Sequence, residues 1–461
     1  MIFVLFIILI ILTISSYLFS ESEFISPAFM LCATYLFCVF IAILNVNAWG
    51  DISFVTMLTV LTGVIAFLFG CAMTMNRIVT LKTKNKKNKL NIGIYDDNEI
   101  NVSYTVLIFT ILTMCAVAYF YSRYIFNNAL LAGSNGSING LFSYARSIDG
   151  NSENYQRMGR VLTLGIYFSK AIGYLAMFIL LKEYIYKPEK KITKSKRMLL
   201  ILILLIYFVL TVLSTGRTAF MYFIIYTMIV ASIFYKIKRG WSKNANKKVL
   251  KIILISLVLI LVAFRIIDLT LRKSIYGSEW TLWTQVSRYF ASQFYALNIW
   301  LENPTYSSGF EDTETLYNLY SILNIFGANV HIGSNALEGV TVSGLSTNIY
   351  TALRRYIHDF GYVGMIVIQF ATGAVFTNWF NKIKKRDYLN DTSVILYASL
   401  LYTVAFNVIE ERTFINILSL STATHVILII LFWRIVTKKK RKLYENHSIR
   451  YTPLYRYRND N

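Results

Sequence analysis

Long apolar runs alternate with short polar breaks along this chain, and most of the runs are too long for the helices of a soluble domain. They fall at about 1–19, 28–46, 52–75, 102–122, 161–181, 198–213, 219–235, 252–266, 362–380, 393–409 and 413–433. A bilayer-spanning helix needs roughly 20 predominantly apolar residues. The pattern therefore predicts an all-α polytopic membrane protein with about 11 transmembrane helices. The first run has no basic stretch before it and no small-residue cleavage site before Glu21. It is expected as a retained helix, not a signal peptide.

The breaks divide the chain further. Residues 1–264 should carry helices 1–8, with an external loop at about 123–160 that is rich in Asn, Ser and Gly. Residues 265–361 form one long external loop, 362–433 carry helices 9–11, and 434–461 are a basic cytoplasmic tail. Loops as long as 265–361 are usually functional. Within it Trp280, Trp283, Val286, Phe290, Phe294 and Leu297 recur at three- and four-residue steps, which predicts an amphipathic helix. Its aromatic content suits the membrane interface, and Leu316–Phe326 is expected as a second such helix. The same pattern also fits the core of a small external domain.

Charge changes the picture by fixing sides. The net charge of +22 would suit nucleic acid if it were spread over the chain. It is instead clustered between apolar runs, at Arg77–Lys89, Lys182–Arg197, Lys236–Lys251, Lys382–Arg386 and Arg434–Lys442. Short loops rich in Lys and Arg face the cytoplasm. That face then carries 33 basic and 11 acidic residues, the rest of the chain 13 and 13. The excess is topogenic, and no nucleic-acid partner is implied. The C-terminus falls inside and the N-terminus outside, although Glu21 and Glu23 then lie on the basic face. Cys32, Cys38, Cys71 and Cys115 all sit in apolar runs, so no disulfide framework is implied. His331, His358, His425 and His447 are scattered without the spacing of a metal site.

The type of cation also differs between faces. Inside, 24 of the 33 basic residues are Lys; of the 13 outside or embedded, 11 are Arg, including Arg123, Arg217, Arg288, Arg354, Arg355 and Arg412. Guanidinium grips phosphate or carboxylate with two parallel hydrogen bonds, where ammonium acts as a point charge. An anionic ligand at the outer face is the sharper reading; Arg snorkelling at helix ends is the plainer one. Ser214–Thr218 is a hairpin in which Gly216 can close one helix and Arg217 open the next, an arrangement that can hold an anion. In Arg354-Arg355-Tyr356-Ile357-His358-Asp359-Phe360-Gly361, helical spacing puts Arg354 with His358 and Arg355 with Asp359. Those groups could bind an anionic leaving group and deprotonate an acceptor hydroxyl, or could form a simple Arg355–Asp359 ion pair. Lys170, near the middle of the fifth run, is an intramembrane charge and a binding candidate.

No early external loop holds paired acids of the Asp-x-Asp kind, and no Gly-rich phosphate loop is present, so metal-dependent sugar transfer and nucleotide hydrolysis are not expected. The layout resembles the O-antigen polymerase (Wzy) family of bacterial oligosaccharide repeat-unit polymerases. The resemblance rests on Ser26-Pro27 opening the second run, Ser214–Phe220 with Arg217, and Ser346-Thr347-Asn348-Ile349-Tyr350-Thr351 followed by Asp359-Phe360-Gly361. It implies a metal-independent glycosyltransferase, without cofactor, at the outer face of the cytoplasmic membrane. Such an enzyme joins repeat units carried on undecaprenyl pyrophosphate for O-antigen, capsule or exopolysaccharide. Its expected partners are that lipid-linked oligosaccharide, membrane lipids, and the chain-length regulator and flippase of the same pathway. Asp359, His358 and Arg217 are the catalytic candidates; Arg288, Arg354, Arg355 and Lys170 are the candidates for binding pyrophosphate or glycan. A ligase that transfers glycan to another acceptor would share this plan, and a flippase would show more charges at mid-membrane.

Overall fold

The computed structural model describes residues 1–85, 95–96, 98–134, 156–186, 192–214, 217–239, 241–271, 281–309, 312–330, 337–385 and 388–439; side chains of 76–99, Arg217, 264–271, Tyr388 and 438–439 are outside that description. The fold is helical nearly throughout. In order, the main helices are α1 (Ile2–Phe19), α2 (Pro27–Leu44), α3 (Phe54–Asn85), α4 (Tyr104–Leu131), α5 (Arg160–Leu181), α6 (Lys194–Leu213), α7 (Arg217–Lys238) and α8 (Asn246–Leu271). They are followed by α9 (Leu282–Phe290), α10 (Ser292–Glu302), α11 (Tyr317–Ile325), α12 (Ala352–Lys385), α13 (Asp391–Leu400) and α14 (Leu420–Val436). Among the described residues, 8 helices are long and apolar enough to cross a membrane, and two shorter apolar helices lie at Asp391–Phe406 and Leu420–Val436. This is the architecture of a polytopic membrane protein.

Local chemistry starts these helices where apolar periodicity begins. Ser26 accepts the Phe29 N–H at 3.2 Å with Pro27 at the first helical position of α2, and Ser103 does the same for Val106 in α4. Asn390 caps α13 and Ser419 caps α14 in the same way. The lipid-facing sides stay apolar: Phe3, Ile7, Ile11 and Leu18 on α1 and Phe109 and Leu112 on α4 are exposed.

Charges assigned to one face from the sequence meet at one end of the bundle. Glu23 pairs with Lys236 at 2.7 Å, and Lys384 lies 3.0 Å from Glu21 and 3.5 Å from Glu23. The two acids that looked misplaced on a basic face are therefore partnered by its lysines. Lys182 and Asp391 pair at 2.8 Å at the same end. Short strands join the loops there: Tyr95–Asp96 pairs in parallel with Tyr388–Leu389, and Asn98–Ile100 is antiparallel to Thr437–Lys439. At the opposite end the amino terminus meets Asp51, Ser53 N–H donates to Asn298 at 2.7 Å, and the Ser343 hydroxyl donates to the Ala48 carbonyl at 2.7 Å.

The 265–361 segment departs from the expected surface helix. The stretch expected as one amphipathic helix is two, α9 and α10, broken at Ala291 (φ −129); Trp280 lies outside the described residues. Ser292, Gln293, Phe294, Tyr295, Ala296 and Leu297 are all buried. Phe294 stacks near Tyr35 in the middle of α2 (6.4 Å between ring centroids), and the Tyr295 hydroxyl donates to the Ala42 carbonyl at 3.3 Å. Apart from Trp283, which is exposed, the described apolar positions of this face are thus covered by the bundle itself. A face buried against helices carries the same pattern as one laid on a membrane interface, which is why the sequence suggested the latter. The α11 helix matches its expected position, and Ile325 and Phe326 at its end are exposed.

α12 is a hairpin, not a rod. The Ala352 N–H donates to the Asn407 carbonyl at 2.9 Å, and Gln369 donates to the Asn407 side chain at 3.0 Å. In a straight helix those two residues would lie about 25 Å apart, at 1.5 Å per residue. Gly361 (φ 65, ψ −174) makes the turn, in a region of backbone space open essentially to glycine alone. The second limb then runs parallel to α3: the Thr59 and Tyr362 hydroxyls are 3.1 Å apart, and Cys71 Sγ lies 3.5 Å from the Gly373 carbonyl. Gly70 and Gly373 make this approach possible, since a Cβ on either would collide with a backbone carbonyl of the other helix. Replacing Gly361 by Ala should cost about 1–3 kcal/mol through backbone strain. Thermal unfolding in detergent checks this, with Gly309→Ala, a glycine in open space without positive φ, as the neutral control.

Candidate active site

The turn at Gly361 sets the last residues of the first limb, 352–360, against two loops. The carbonyl of His358 accepts the Ser307 N–H at 2.8 Å, which fixes the limb to the chain leaving α10. Asp359 Oδ1 accepts the Glu314 N–H at 3.1 Å and Oδ2 accepts the Thr315 N–H at 2.6 Å. Asp359 Oδ1 is also 2.6 Å from His358 Nδ1. Three donors converge on one carboxylate, which favours its ionised form. An ionised carboxylate only accepts, so His358 Nδ1 carries a proton, and in the neutral ring Nε2 is the acceptor.

Glu314 gathers the cations. Its carboxylate is hydrogen-bonded to Arg354 Nη1, lies 3.7 Å from Arg355 Nη1, and lies 3.9 Å from His358 Nε2. Arg355 Nη1 also reaches the Glu314 carbonyl at 3.4 Å. The Arg354 guanidinium lies between two aromatic faces, 5.2 Å from Trp300 and 5.6 Å from Tyr350. Both arginines are nearly inaccessible, at 2% and 1% exposure, while Glu314 keeps 15%.

A second loop, after Phe406, closes the site. Glu411 accepts the Tyr356 hydroxyl at 3.0 Å and the N–H groups of Phe414 and Ile415 at 2.7 and 3.0 Å. Burial nevertheless pushes its carboxyl above the ordinary range, because desolvation outweighs those bonds and the nearby Arg355. Glu410 pairs with Arg412. Tyr402, on the way into this loop, stacks on Tyr222 of α7 at 4.0 Å, and Asn416 donates to the Tyr402 hydroxyl at 2.8 Å.

The structure therefore brings together four of the seven candidates: His358, Asp359, Arg354 and Arg355. It does so differently from the simple ion-pair expectation. Asp359 pairs with His358 and with backbone N–H groups, and Arg355 turns to Glu314. Arg217 opens α7, but its side chain lies outside the described residues, as do Thr215 and Gly216. Arg288 (on α9) and Lys170 (on α5) are not among the partners of Glu314. Lys170 Nζ is 5.9 Å from the Tyr174 ring centroid, and His425 packs edge-on against that ring at 5.1 Å. Glu314 was not singled out from the sequence, and Glu411 was read there within Glu410-Glu411-Arg412 as a charged cap of the last outward turn. The signal for Glu314 was the acidic stretch Glu311–Glu314 in the connection between α10 and α11. Set against known proteins, the chain matches no family model, no curated protein and no solved structure.

Proposed function

We propose that the protein polymerises oligosaccharide repeat units carried on undecaprenyl pyrophosphate, at the outer face of the bacterial cytoplasmic membrane. In this reading eleven helices cross the membrane: α1–α8, the second limb of α12, α13 with its continuation to Phe406, and α14. The end holding Lys182, Lys236 and Lys384 faces the cytoplasm, and the end holding Arg354, Arg355 and Arg412 faces out. The observation that carries the proposal is the Asp359–His358 hydrogen bond of 2.6 Å set beside two buried guanidiniums. Support comes also from the resemblance in Ser26-Pro27, Arg217 and Asp359-Phe360-Gly361.

The chemistry asked of such a site is limited. The acceptor hydroxyl attacks the anomeric carbon of the donor glycan, and the bond from that carbon to the pyrophosphate oxygen breaks. The hydroxyl proton passes to His358 Nε2, which Asp359 orients through Nδ1. The leaving pyrophosphate needs only charge stabilisation, which Arg354 and Arg355 supply, with Arg217 on the adjoining helix end. Deleting the gene and resolving the lipid-linked glycans on a gel tests this: single repeat units at the outer face are expected. Full-length polymer still on its carrier would indicate a ligase instead, and units confined to the inner face a flippase.

The role of Arg217 has its own test. Arg217→Lys keeps the charge but loses the planar fork, so polymer should fall about 10-fold or more at normal protein abundance, in line with ~1–3 kcal/mol for a charged hydrogen bond. Arg123→Lys, exposed on α4 about two turns before its end, is the control that should leave polymer unchanged.

A further inference from the structure

The reading of Arg354 and Arg355 as a pyrophosphate seat meets a problem of charge. Among the described residues, Arg354 and Arg355 stand with Glu314 and Asp359, and Glu410 and Glu411 also act on Arg355, so the cluster carries no excess positive charge. A pyrophosphate added to it would be repelled as much as attracted. Its oxygens would also find Arg354 Nη1 engaged by Glu314.

The two carboxylates are not held alike. Asp359 is fixed through both oxygens by backbone N–H groups and His358. Glu314 is held by its backbone N–H, while among the described residues its carboxylate meets Arg354, Arg355 and His358 Nε2. It is also the more exposed, at 15% against 0% for Asp359. Its side chain can therefore swing outward without moving the backbone that Asp359 anchors. We propose that the Glu314 carboxylate is an internal stand-in for the ligand: it occupies the anion seat of Arg354 and Arg355, beside His358 Nε2, until an incoming pyrophosphate displaces it.

The inference rests on the proposed function only for the identity of the ligand. Each placement has a consequence. With Glu314 in, the guanidiniums are neutralised and His358 Nε2 faces a carboxylate. With Glu314 out, both the seat and Nε2 are open at once, so the base becomes available only when the leaving group is bound.

The test is binding of inorganic pyrophosphate to the full-length protein in detergent, followed by titration calorimetry and by thermal unfolding. Wild type should bind weakly, and Glu314→Gln should bind about 10-fold tighter or more, because a competitor for the seat has been removed. Pyrophosphate should also raise the unfolding temperature of Glu314→Gln more than that of wild type, since it restores at the two guanidiniums the negative charge that the variant lacks. Arg354→Gln added to Glu314→Gln should abolish the gain. If Glu314→Gln fails to fold, Glu314→Asp, which withdraws the carboxylate by one methylene, should show a smaller gain of the same sign. Unchanged or weaker binding by the folded Glu-variant would overturn the inference and leave Glu314 a structural partner. A short polyprenyl pyrophosphate should show the same gain; a gain confined to it would also overturn the inference, because the seat contacts only phosphate oxygens. Neither readout needs polymer formation. A gain in a protein without polymerase activity removes the proposed function and keeps the stand-in; an active polymerase without the gain does the reverse.

Discussion

Asp359→Asn should lower turnover by roughly 10²–10⁴-fold while leaving the protein folded. The amide keeps an oxygen for the Thr315 N–H, which still anchors the loop at 312–316, but it gives up the bond from the Glu314 N–H. What changes is the other side. To hydrogen-bond His358 Nδ1, the amide must present its NH2 group, which turns Nδ1 into an acceptor and puts the ring proton on Nε2. A ring protonated at Nε2 cannot take a proton from the acceptor hydroxyl. His358→Gln should show a loss of the same order, and the double variant should lose little more than either single one, because the two residues act as a unit. Rates on a purified lipid-linked substrate, with pyrophosphate binding as the check on folding, measure this. Near-additive losses would mean that His358 and Asp359 serve separate purposes.

The other large effect expected is structural and lies at the opposite end. Lys182 and Asp391 pair at 2.8 Å, both at 0% exposure, with Lys182 Nζ 5.9 Å from the Trp433 ring centroid. Lys182 sits in a widened turn, Lys182–Tyr186, that continues α5, and Asp391 is the first residue of α13. Removing one charge leaves the other buried, so Lys182→Met or Asp391→Leu alone should cost about 3–5 kcal/mol. Replacing both by apolar residues removes the desolvation penalty along with the attraction, and Lys182→Met/Asp391→Leu should recover most of the loss. Unfolding in detergent across the four proteins of the cycle gives the coupling. A double variant as unstable as the worse single one would show that the pair contributes more than charge compensation.

The apolar helices, and the gathering of Glu21, Glu23, Lys236 and Lys384 at one end, were open to reading because the patterns behind them are local. An apolar run of membrane length needs no partner to be recognised, and Lys clusters mark one face without reference to the fold. The meeting of Glu21 and Glu23 with Lys236 and Lys384 follows from that sorting. His358 and Asp359 could be paired because they are neighbours in the chain. Glu314 could not: it lies in a loop with no periodicity to link it to Arg354, and only folding makes them partners. The hairpin at Gly361 was hidden for a related reason. One glycine ahead of an apolar run reads as a helix cap, and nothing local says that the preceding limb runs back beside the following one. The burial of α10 was misjudged because amphipathic spacing reports a covered face without naming what covers it.

The central claim is that this outer-end site joins lipid-linked repeat units, and one assay addresses it directly. Purified protein is supplied with a synthetic repeat unit on a polyprenyl pyrophosphate, with no nucleotide sugar, and products are resolved by mass. The account predicts dimers and longer oligomers on one lipid carrier, one polyprenyl pyrophosphate released per bond formed, and loss of both in His358→Gln. Wild-type protein that folds and binds the substrate yet forms no oligomer, or a His358→Gln variant that polymerises at the wild-type rate, would contradict it.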